Sequence, residues 1–94
     1  MMKQEGERFV IRGALNMQTV PALFNQGLQQ LAQGDLSVDF SHVEVVDSAT
    51  VSMLLGWLRA AQNKQRQLNV QALPKNVLSL ATLYGVADLL PPSP

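Results

Sequence analysis

Few side chains in this 94-residue chain could do chemistry, and their types and spacing narrow what that chemistry would be. There is one histidine, His42, with Asp39 and Glu44 nearby, and there is no cysteine. One imidazole beside two carboxylates is a minimal ligand set without the clustered imidazoles or thiolates that metal sites gather, and the reading it supports is a loop histidine. The missing thiol excludes cysteine nucleophiles, disulfides and thiolate metal sites. Asp39 and Asp47 are candidate paired carboxylates for acid-base work. Both fall at or near the ends of a strand and a loop, however, where Asp caps helices and ties down turns. The six glycines are scattered singly, so no glycine-rich loop cradles a phosphate. With so little machinery the chain is expected not to be an enzyme and to need no cofactor or metal.

The pair Asp47-Ser48 stands apart, because it joins an apolar strand end to a helix-like stretch in VDSATVSMLLGWL, residues 46–58. Either side chain can cap a helix by accepting from the unpaired amides of the first turn. A hydroxyl at that place also sits at the positive end of a helix dipole, where an added phosphate would be stabilised, so Ser48 is a candidate switch.

The elements that must position these residues follow from the hydrophobic period, which alternates along the chain between two and about 3.6. Phe9, Ile11 and Gly13 to Leu15 form a first extended segment. Thr19 reads as an N-cap with Pro21 in the first turn, and Val20, Leu23, Phe24, Leu28 and Leu31 recur at helical spacing until Gly34, predicting a helix over about 20–33. Leu36, Val38 and Phe40 alternate with polar residues as a strand, and the short stretch HVEVV leads to Asp47-Ser48 and a helix to about Gln65. Leu68, Val70 and Ala72 make another strand. Pro74 opens a last helix with Val77, Leu80, Ala81 and Tyr84 on one face and Gly85 at its C-cap; Val86, Leu89 and Leu90 then form a short closing turn or strand. Strands separated by helices of this length join by right-handed crossovers. The expected fold class is therefore α/β, one domain over 1–94 with a small, mostly parallel mixed sheet covered by amphipathic helices and a proline-rich tail from about residue 91.

On a wheel of about 100° per residue with Val51 at zero, Leu54, Leu55, Leu58 and Ala61 lie within about 80° and form the expected core stripe. Met53, Trp57 and Ala60 fall at roughly 180–240° on the same wheel, which leaves Ser52, Arg59, Asn63 and Arg66 as the polar face with Gly56 beside them. Trp57 either leans into the core beneath a neighbouring helix or belongs to a partner-binding face, since Trp, Met and Arg are favoured at interfaces.

Composition bounds the partners. Seven Lys and Arg balance seven Asp and Glu, and no run of like charge offers a face for nucleic acid or an anionic membrane. The start, MMKQEGERF, has no apolar signal region, and no apolar run reaches the ~20 residues that span a bilayer, so a soluble cytoplasmic protein is expected.

The stretch DFSHVEVVDSATVSMLLGWL, residues 39–58, resembles the signature of STAS domains, the sulfate transporter and anti-sigma factor antagonist family: an acidic strand end, a short loop, then Asp-Ser/Thr-x-Gly opening an apolar helix. The resemblance covers nearly the whole chain. It implies that Asp39 is the strand-end acid, Asp47 the motif Asp, and Ser48 the phosphorylatable hydroxyl of the anti-sigma antagonists. Thr50 stands where the motif has glycine, and a β-branched residue there would hinder close backbone approach by a kinase or anti-sigma factor. The tail LPKNVLSLATLYGVADLLP is similar to that of STAS subunits in Mla-type phospholipid-transport ABC complexes. That similarity implies a non-catalytic cytoplasmic subunit bound to the ATPase subunit of an inner-membrane transporter; the alternative partner is an anti-sigma kinase. The expected contact surface is Asp47, Ser48, Thr50, Ser52, Met53, Gly56, Trp57 and Arg59, with Met53 and Trp57 at its centre.

Overall fold

A computed structural model describes residues 2–83 and Gly85. The elements run β1 (Met2–Glu5), β2 (Arg8–Leu15), α1 (Val20–Gln33), β3 (Leu36–Val46), α2 (Ser48–Lys64), β4 (Leu68–Gln71) and α3 (Lys75–Leu83). They build a four-stranded sheet in the order β1-β2-β3-β4, with β1 antiparallel to β2 and the other neighbours parallel. The expected mixed, mostly parallel α/β architecture is what the chain adopts. The expected face partner Tyr84 and the closing segment with Val86, Leu89 and Leu90 lie outside the described residues.

β1 has no counterpart in the periodicity, because MKQE offers one apolar side chain, Met2, to alternate with. It forms because Gly6, at φ 70°, opens a tight turn that folds it back on β2 with Glu5 opposite Arg8. The stretches around Phe40 and HVEVV are likewise one eleven-residue strand, β3. Between the pairs Val10–Asp39 and Arg12–His42 β3 advances one residue more than β2, and it does so again between Gly13–Val43 and Ala14–Val45. Each bulge shifts the alternation, so the residues turned to the core are Leu36, Val38 and Phe40, then Val43 and Val46. Gly13, at φ 93°, lies between the two shifts in a conformation that L side chains rarely adopt.

Strand order follows chain order, so both crossovers lead the same way across the sheet and α1 and α2 share one face, where they pack on each other and α3 packs on α2. Ile11, Leu15, Val38 and Val70 from the sheet join Leu23, Leu31, Leu54, Trp57 and Val77 from the helices in one core. The opposite side of the sheet carries Glu5, Arg8, Arg12, Ser37, Asp39 and Asn69, with an ion pair of 2.9 Å between Arg12 and Glu5. Val10, in register with Lys3 and Asp39 on that polar side, is nonetheless buried beneath them.

One expectation about helix ends changes and another holds. Thr19 precedes α1, but at φ −96° and ψ −30° it is already helical and its side chain caps nothing. Its hydroxyl instead donates to the Ala14 carbonyl (2.9 Å) and accepts from the Asn16 amide (3.0 Å), tying the end of β2 to the turn. Asn16 Oδ1 accepts from the Gln18 and Thr19 amides at 2.8 and 3.1 Å. At the other end of the chain Gly85, at φ 73°, donates to the Thr82 carbonyl and closes α3 in the expected manner.

Candidate functional site

Asp47 leaves β3 in extended conformation, and its Oδ1 accepts from the Ala49 amide at 2.9 Å, while its own carbonyl accepts from Thr50 N at 3.1 Å. The carboxylate is therefore the N-cap of α2. Ser48 is the first helical residue, exposed, and its hydroxyl has no hydrogen-bond partner among the described residues. Of the two possible caps the structure selects one and leaves the other free. Because Leu15 pairs with Val46, the turn before α1 and the Asp47-Ser48 junction leave the sheet side by side.

Around this junction the expected contact surface divides. Ser48, Ser52 and Arg59 are exposed on the outer face of α2, and Asp47 and Gly56 are half-buried. Met53, Trp57 and Thr50 are not on that surface: they are 2%, 0% and 0% exposed and belong inside the fold. The expectation that Met53 and Trp57 stand outward at the centre of a contact is corrected by the helix's rotation. The buried stripe is Thr50, Met53, Leu54, Trp57 and Ala61 with Val51, turned about 60° from the expected one at ~100° per residue, and Leu55 and Leu58 move to its half-buried margin.

The cause is α1. Gly27 has no Cβ, and one built there would overlap the Trp57 indole; a Cβ on Gly56 would come within 2.6 Å of the Phe24 ring. The two helices approach through these gaps, and Trp57 Nε1 donates to the Phe24 carbonyl at 3.0 Å, satisfying its polar atom inside the core. Thr50 points into the same interior, where its hydroxyl has no partner among the described residues, an arrangement that costs on the order of 1–3 kcal/mol. Its branched side chain thus stands beneath the helix and does not obstruct an approaching backbone.

A groove of about 360 Å³ runs between the starts of α1 and α2, lined by Val20, Pro21, Phe24, Ala49, Ser52 and Met53. Reasoning from the sequence did not join α1 to the site, although two helices that follow adjacent parallel strands must begin at the same edge of the sheet. Arg59 lines a separate hollow with Leu55, Leu58 and Gln62.

The other candidate side chains have structural tasks. Asp39 lies within β3, not at its end, and its Oδ1 accepts from the Ser41 amide at 2.8 Å across the first bulge. That amide holds the carboxyl below its ordinary pKa against the opposing push of burial; the Ser41 hydroxyl, Arg8 at 3.9 Å and His42 act in the same direction as the amide. Asp39 and Asp47 are thus each committed to a backbone amide, and Asp39 is on the sheet side away from the helices. His42 is exposed beside Arg12. Among the described residues no group of His, Asp and Glu could hold a metal ion, and no helix is long and apolar enough to cross a membrane.

Comparison with solved structures gives a match to the anti-sigma factor antagonist SpoIIAA in its unphosphorylated form, with a TM-score of 0.71 and 14% identity, covering 94% of this chain and 82% of that one. At that identity the likeness speaks for the fold. A search of curated proteins finds no match. A family model described as "Mlab, STAS domain" matches residues 2–91, and no enzyme family is indicated. The chain belongs to the STAS domain family, in the branch that this model describes.

Proposed function

We propose that this chain is the STAS subunit of an ABC-type phospholipid transporter, a non-catalytic protein that binds the ATPase subunit and thereby regulates or stabilises it in transport that maintains outer-membrane lipid asymmetry. It works at the cytoplasmic side of the inner membrane through protein contacts alone. The observation that carries this reading is the Mlab description of the family model matched over residues 2–91. The site is consistent with it: the Asp47 carboxylate is spent on the cap, and the Ser48 hydroxyl beside it faces solvent without a partner among the described residues. A second reading, a phosphorylation-switched antagonist of an anti-sigma kinase, is favoured by the fold shared with SpoIIAA and by Ser48 at the first position of α2, where a phosphate meets the positive end of the dipole.

Affinity purification from the native host separates the two. An ATPase arriving with membrane subunits supports the transporter; a histidine-kinase-like ATPase without them supports the antagonist. On either reading a charge at residue 48 must be desolvated against the partner, so Ser48→Asp is expected to weaken binding more than Ser48→Ala. Equal affinities of the two variants in a titration would remove Ser48 from the contact.

A further inference from the structure

We infer that the free edge of β1 pairs with the β1 edge of a second copy of this chain, joining two four-stranded sheets into one. β1 bonds to β2 on one side, and among the described residues no strand lies on its other side. Its outward backbone groups are a template for another strand, and Lys3, Gln4 and Glu5 along it are exposed. A two-fold axis perpendicular to the sheet makes the two strands antiparallel and keeps both helical layers on one face.

The charges select the register. Lys3 and Glu5 share the polar side of the sheet, with Lys3 in register with Val10 and Glu5 with Arg8. A slip of one residue would set the polar side of one copy against the helix side of the other, so only registers two residues apart are open. One of these puts Lys3 against Lys3, and another puts Glu5 against Glu5. The register between them puts Lys3 of each copy opposite Glu5 of the other, with Gln4 against Gln4 on the axis. Opposite charges directly across a strand pair stabilise it, and like charges destabilise it. Glu5 is already oriented for this: Arg12 holds its Oε2 at 2.9 Å, while its Oε1 has no partner among the described residues. Lys3 makes no ion pair among those residues. A short strand and a lysine keep an edge from pairing indiscriminately. With an acid two residues on, the same lysine admits a strand of matching charge, and this edge is one. Nothing on the helix side repels the second copy, because no residue from Gly13 to Gly34 is charged and α1, which joins β2 to β3, is the helix nearest β1. The strands of the two copies run in opposite directions, so their Asp47-Ser48 junctions leave opposite ends of the joined sheet and both stay accessible.

Sedimentation equilibrium of the purified chain is the test. Four residues a side make a small contact, so wild type is expected to pass from monomer to dimer with a Kd on the order of 100 µM. Lys3→Glu sets carboxylate against carboxylate in both cross-strand pairs, and Glu5→Lys sets ammonium against ammonium. Each variant is therefore expected to self-associate at least about tenfold more weakly than wild type. Mixed in equal amounts, the two restore opposite charges at both pairs and are expected to associate with an affinity close to that of wild type, which neither would do if it had simply failed to fold. The chain has no cysteine, so Gln4→Cys reads the register directly. With oxidised glutathione it is expected to form a covalent dimer at least about tenfold faster than Asn76→Cys, which is exposed on α3 at the opposite flank. Three results overturn the pairing: wild type that stays monomeric to about 1 mM, roughly tenfold above that Kd; variants that associate no more strongly mixed than alone; or equal rates from the two cysteines.

Discussion

Asp47 accepts the Ala49 amide and the Ser48 side chain accepts nothing among the described residues, so adjacent substitutions should separate folding from binding. Asp47→Ala is expected to lower stability by about 1 kcal/mol in a denaturant titration, whereas Ser48→Ala should stay within about 0.5 kcal/mol of wild type. A larger loss in Ser48→Ala would mean that the hydroxyl shares the cap. Asp39 gives a pH prediction. Its folded-state pKa is depressed, chiefly by the Ser41 amide, so its contribution is present in full above the unfolded value near ~4 and is lost as pH falls through the lower folded value. Asp39→Asn keeps an acceptor for Ser41 but does not titrate. The stability advantage of wild type over Asp39→Asn should therefore shrink on acidification from about pH 6 to about pH 2, and a gap constant over that range would show that the bulge draws nothing from the charge.

At the scale of elements, the contact between α1 and α2 decides where every side chain of α2 faces. Trp57→Ala should cost about 3–5 kcal/mol of folding stability, as for a core aromatic. Trp57→Phe, which keeps most of the packing but loses the bond to the Phe24 carbonyl, should be milder yet still destabilising. Gly27→Ala should also destabilise, because its methyl meets the indole, and Trp57→Phe should relieve part of that loss in the double variant. Additive losses would mean that the two residues do not share one gap. This contact also marks the limit of what the sequence disclosed. The span of α1 and the start of α2 were legible from spacing, Pro21 and the Asp-Ser pair. The orientation of α2 was not: its apolar residues extend so far around the wheel that several stripes are equally good, and the choice among them is made by two glycines on the facing surfaces. A similar ambiguity hid the length of β3, since two bulges turn an alternation of two into steps of three.

For the molecule as a whole, alternation of strand and helix was enough to give a mostly parallel sheet, while β1 was hidden because it is held by pairing and not by apolar periodicity. Topology then brings together parts far apart in sequence: Leu15 and Val46 end adjacent strands, and the residues after them form one edge from two helices. That edge exists only while α1 and α2 are locked together over the sheet. The core that holds them is a single cluster drawing on β2, β3, β4 and all three helices, so the helical layer and the sheet should unfold in one step. Trp57 is the sole tryptophan and reports the contact between the helices directly, whereas far-UV circular dichroism reports secondary structure throughout. Urea transitions followed by the two signals should coincide. A fluorescence transition at lower urea would mean that the helices separate before the sheet melts, and the site at their shared edge would then be assembled in only part of the folded population, with apparent partner affinity reduced by that fraction.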